Sequence, residues 1–157
     1  MNAHNLAKQR GLTTVEFAIC GTVFLIFLFG VIETGRMLFT WNALDEMTRR
    51  AARLAAVCPI GSLANVRATA AFSGTLIHGL GPDDIEVRYL DDSGNPVGDP
   101  TGNFSAISFV QARIADSYQF ELLLPFFNRL IRPPDFTTTM IAESLGISPP
   151  GTGTTSC

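Results

Sequence analysis

The chain has 157 residues, 46% of them hydrophobic, and 11 basic against 14 acidic side chains give a net charge of −3. That length leaves room for one small domain beyond any stem, and a second domain is not expected. A mildly acidic chain with no basic stripe excludes nucleic-acid binding as its business.

The first element in chain order is an apolar helix. Residues 17–32 carry no charge and rise about 24 Å; adding residues 12–16 gives about 31 Å at 1.5 Å per residue, close to a bilayer core. A transmembrane segment over 12–33 follows, with Glu16 at its edge. A central carboxylate costs roughly 2.5 to 3.5 kcal/mol on insertion scales, so this acid asks for a reason. Cleavage between Gly11 and Leu12 supplies one: it would free an amino group on Leu12 and leave Glu16 as the fifth residue, followed by Phe17. Glycine suits such a cut because it is small and leaves helical geometry easily. A short basic leader, 1–11, followed by glycine, an acid at the fifth position and an apolar helix resembles the start of type IV prepilins.

Other targeting readings compete. No A-x-A pattern follows Ile32, where the chain reads Glu33-Thr34-Gly35-Arg36, and Cys20 lies inside the apolar run rather than after it, so secretory and lipoprotein signals do not fit. An uncleaved signal anchor stays open. Orientation is not decided by charge, because Lys8 and Arg10 before the span are matched by Arg36, Arg49 and Arg50 after it. Cleavage would remove Lys8 and Arg10 and no acid, taking 11 basic and 14 acidic residues to 9 and 14, a balance of −5.

The helical pattern then runs on to Pro59, predicting one helix from near Thr13 to near Val57, roughly 65 to 70 Å long. Its second half, 34–58, must pack on something, and Ala51, Ala52, Ala55 and Ala56 permit close approach. Glu33 and Arg36 stand three apart and can pair on the helix surface, either to fix register with a partner at the membrane border or as a solvated pair closing the span. A small α+β domain is expected over 59–147. It comprises a second helix over 62–78, stopped by Gly79, Gly81 and Pro82, and an antiparallel sheet of about three strands. The strands are the alternating runs at 85–90, 107–118 and 136–143. Residues 122–131 are apolar but too short to span a membrane and read as a loop or short helix covering the sheet. The tail, 148–157, is rich in proline, glycine and threonine and is expected to be mobile.

The resemblance narrows with Glu16-Phe17-Ala18, Gly30-Val31-Ile32-Glu33-Thr34-Gly35-Arg36 and Arg50-Ala51-Ala52-Arg53-Leu54-Ala55-Ala56. Together these resemble the TadE-like family, pseudopilins or minor pilins of tight-adherence (Flp) pilus systems. The resemblance covers residues 11–57 well and the later 110–125 and 136–143 loosely. Flp-type processing sites tend to have glutamate followed by tyrosine, where this chain has Phe17. Membership implies a prepilin peptidase, other pilin or pseudopilin subunits and the pilus assembly platform as partners. It also implies a single pass through the bacterial inner membrane with the C-terminal domain in the periplasm. A pseudopilin of a type II secretion system and a signal-anchored periplasmic binding domain are the alternatives.

Cys58 and Cys157 could pair, and the resemblance extends to the C-terminal disulfide loops of some pilins; two free thiols, or Cys157 paired between chains, are the other readings. Cys20 reads as a small apolar residue. Asp91, Asp92, Asn95 and Asp99 offer oxygen ligands, but an EF-hand starting at Asp91 would need glycine at Pro96 and glutamate at Gly102. A polar hairpin loop fits better, and no metal or cofactor is expected. Catalysis has little support. Cleavage would remove His4 and leave His78 as the only histidine, expected at a helix end, and no HExxH, GxSxG or Walker loop is present.

Overall fold

A computed structural model describes residues 4–123, 130–147 and 157, with side chains from residue 13 onward among them. The fold is α+β: a long N-terminal helix, a short second helix and a small antiparallel sheet.

The helix α1 spans His4–Val57 without interruption, starting earlier than the apolar pattern indicates and passing through Gly11. It stops where expected, because Pro59 disfavours helical geometry at the residue before it. The last carbonyls of a helix have no partner within it, and here a segment from far along the chain satisfies them. The N–H groups of Glu143 and Leu145 donate to Ala56 O at 3.1 and 3.2 Å, and that of Gly146 to Val57 O at 2.7 Å. Ser144 Oγ donates to Val57 O as well, at 3.2 Å. Gly146 has φ +84°, and a Cβ placed there would meet Pro59 Cγ at 2.5 Å and Pro59 Cα at 2.6 Å.

Two halves of α1 differ completely in burial. From Ala43 to Ala56 one face is sealed: Leu44, Met47, Thr48, Ala51, Ala52 and Ala55 have no accessible surface. These positions recur at three- and four-residue spacing, the stripe of a helix packed on one side. Against that stripe lies the sheet, in the order β1 (Ile85–Leu90), β2 (Phe109–Ile114) and β5 (Thr137–Ile141), all antiparallel. Side chains alternate across a strand, so Ile85, Val87 and Tyr89 of β1 and Val110, Ala112 and Ile114 of β2 face inward together. Their register pairs Tyr89 with Val110 and Val87 with Ala112. β2, β5 and the second helix all pack on α1, and Thr48 Oγ1 lies 3.1 Å from Thr138 Oγ1 at the contact with β5.

Two expectations need correction. The second helix, α2, covers only Leu63–Ala70 rather than 62–78. Phe72 and Ser73 adopt positive φ (51° and 55°), as does Gly74 (73°), and this left-handed run ends the helix. The ring of Phe72 lies under the Arg50 guanidinium, 4.7 Å from ring centroid to Cζ. A second pairing, β3 (Phe120–Glu121) with β4 (Leu130–Ile131), also exists, so part of the stretch read as a loop or short helix over 122–131 is strand. Residues 124–129 of that stretch, and the tail at 148–156, lie outside the described residues.

Candidate functional site

The candidate site is the bare half of α1 and the border at which the domain begins. From Val15 to Ile32 no residue is buried among the described residues. Phe17 is 80% exposed, and Phe24, Ile26, Phe27 and Val31 are exposed on different sides of the helix. The most apolar 18-residue window has a mean hydropathy of 2.5, and none of it is buried. A helix apolar all round is stable only when something else surrounds it, and this one is long and apolar enough to cross a membrane, fitting a single-pass anchor. Its polar groups close inward: Thr22 Oγ1 donates to Ala18 O and Thr34 Oγ1 to Gly30 O, each at 2.8 Å. Cys20 is a free, exposed thiol on the same stretch.

Glu16 sits at the N-terminal side of this surface, exposed beside Phe17 and with no ion-pair partner among the described residues. Gly11 and Leu12 lie in continuous helix five and four residues before it.

At the other border the structure builds a joint that local spacing does not reveal. Glu33 is only 7% exposed. Arg36 Nη2 approaches Glu33 Oε1 at 2.5 Å, and Arg36 Nε donates to Oε2 at 3.3 Å. The backbone N–H of Leu123 donates to Glu33 Oε1 at 3.2 Å. Arg36 reaches β3, just before Leu123: Nη2 donates to Glu121 O, and its Cζ lies 4.2 Å from the Phe120 ring centroid. An external partner or solvent was expected for this pair; in the structure its partner is the segment 120–123 of the same chain. The carboxylate and guanidinium therefore fasten the domain to the end of the apolar span. Hydrogen bonds to charged groups contribute about 1.5 to 3 kcal/mol each, with a cation–π contact adding about 0.5 to 1 at an exposed site. Phe120, Glu121 and Leu123 carried no sequence signal of this role, since the contact bridges 90 positions.

The remaining singled-out residues fall away from this joint. Cys58 and Cys157 form a disulfide with Cα atoms 5.9 Å apart, which ties Cys157 to the end of α1. His78 lies in the turns after α2, lining a groove with Arg36, Phe39, Leu76 and Tyr118. Asp91 spends its carboxylate on its own loop: Oδ1 accepts the N–H groups of Asn95 and Ser93 at 2.8 and 2.9 Å. Those bonds, the Asn95 one first, hold its pKa below the usual carboxylate value. Asp99 Oδ1 does the same for Thr101 and Gly102, so the loop oxygens serve turns.

A family model described as TadE-like protein matches residues 11–53. It is the family that the Glu16-Phe17-Ala18, 30–36 and 50–56 stretches resemble, and the match establishes the likeness over the stem. No curated protein and no solved structure matches the chain. The match covers the stem and not the domain that follows it.

Proposed function

We propose that the chain is a TadE-like pseudopilin or minor pilin, a structural subunit for assembly of a tight-adherence (Flp, type IV-like) pilus. A prepilin peptidase cleaves it after Gly11, and its activity is assembly rather than catalysis. The observation that carries this reading is the pairing of an apolar half-helix, left unburied by the described residues, with an acid four residues beyond Leu12. The family match lends support, since it begins at Gly11, where the leader ends, and runs through the whole span.

The bilayer holds the processed subunit, with the domain in the periplasm, until neighbouring stems bury residues 17–32 against one another. Lipid and a helix bundle are similarly apolar, so side-chain packing and polar contacts must supply the selectivity. Glu16 supplies the polar contact by pairing with the freed amine of Leu12, its own or an adjacent subunit's. Partners are the pilin or pseudopilin subunits and the assembly platform in the inner membrane.

Glu16→Ala tests the reading in the native host. The variant is expected to be processed and membrane-inserted yet recovered poorly with pilus components. Recovery equal to that of the unaltered chain would favour a tethered binding domain instead.

A further inference from the structure

We propose that the membrane-facing underside of the domain is a lipid-docking surface, seated in the headgroup layer of the bilayer that α1 crosses; this rests on the reading of α1 as a transmembrane stem. If residues 12–32 fill a hydrocarbon core of about 30 Å, Glu33 stands at its edge, and headgroups occupy about 5 to 7.5 Å beyond it. Arg36 is then about 4.5 Å into that layer and Phe39 about 9 Å, at 1.5 Å per residue. Helical side chains lean toward the N-terminus, which brings the Phe39 ring back toward the membrane.

The domain is fixed at that level. The Leu123 N–H is bonded to the Glu33 carboxylate, so Leu123 lies at the core edge, and it is 69% exposed. Leu130, paired in register with Glu121, is exposed as well. Phe39 and Leu76, both exposed, line one groove with Leu123 and Glu121, and the Arg36 guanidinium, ion-paired with Glu33, lies at headgroup depth. Large apolar side chains around an ion pair, continuous with a membrane span, match the boundary between headgroups and acyl chains, where interfacial elements bury their apolar face. Facing water, the same groups would be a liability.

The test places an environment-sensitive nitrobenzoxadiazole dye at Leu123→Cys, Ile26→Cys or Thr101→Cys, each in a Cys20→Ser chain with the Cys58–Cys157 disulfide kept. The chains are reconstituted in vesicles of phosphatidylcholine and phosphatidylglycerol carrying doxyl-labelled lipid. Position 26 reports the span, and Thr101, exposed in the loop before β2, reports the domain away from the border. The proposal expects quenching at 123 at least half as strong as at 26, with position 101 unquenched. Quenching at 26 but not at 123 overturns the lipid-docking surface and leaves the span intact. No quenching at either position overturns both. A dye at 123 that is blue-shifted but unquenched by labelled lipid is covered by a second copy of the chain, and that overturns the proposal too.

Discussion

Glu33 and Leu123, 90 positions apart, are joined by a hydrogen bond from a backbone N–H to a carboxylate oxygen at 3.2 Å, and that bond sets the domain on the end of the apolar stem. Glu33→Ala removes the acceptor for Leu123 and the partner of Arg36 at once. Loss of a bond to a charged group, about 1.5 to 3 kcal/mol, corresponds to amide exchange at Leu123 faster by about ten- to hundredfold. Exchange in nanodiscs checks it, and protection of the β1–β2 core should be unchanged. Equal protection at Leu123 in variant and parent would refute the joint.

Gly146→Ala is expected to destabilise the domain strongly. Alanine at φ +84° is strained, and its Cβ would lie 2.5 to 2.7 Å from Pro59 atoms. The backbone strain alone costs about 1 to 3 kcal/mol, and relieving the clash would pull the Gly146 N–H off Val57 O. Thermal unfolding followed by circular dichroism should show a clear fall in Tm, whereas Gly61→Ala, with open space around it, should change Tm far less.

Much of this architecture was legible in the sequence. Pro59 announces the end of α1, the alanine pairs at 51–52 and 55–56 mark its packed face, and the alternation at Ile85, Val87 and Tyr89 marks β1. What was not legible depends on distant contacts or on backbone choices that apolar spacing does not encode. The early end of α2 rests on positive φ at Phe72 and Ser73. β3 and β4 have two residues each, too few to alternate. The apolar span and the spacing from Gly11 to Glu16 could be read locally, but the role of Glu33 could not, because its second partner is the N–H of Leu123, 90 positions away.

Removing the disulfide by Cys58→Ala should lower stability by about 2 to 4 kcal/mol, as cross-links closing long loops typically do. The sequence separation closed is 99. Urea unfolding should show the midpoint shift, and dithiothreitol should move the parent protein toward the variant while leaving the variant itself unmoved. An unshifted midpoint on reduction would mean that this bond does not hold the native chain together.

Acid should weaken the β1–β2 ladder through Glu86. Its pKa is held below the ordinary 4.5, first by the hydrogen bond from Arg113 and then by the charges of Arg113 and Arg88. The Arg113 Nε donor lies 2.8 Å away. Because the folded value is depressed, this contribution is complete above about pH 4.5 and is lost as pH falls through the lower folded value. Tm measured downward from pH 6 should decline below that point. The decline should be shallower in Glu86→Gln, with Asp91 accounting for part of what remains; identical profiles would contradict the assignment.

The most direct measurement is the intact mass of the chain extracted from membranes of its native host with the matching prepilin peptidase active. The account predicts a protein that begins at Leu12, and one that begins at Met1 when the peptidase is deleted. A chain still carrying residues 1–11 in the peptidase-positive host would contradict it.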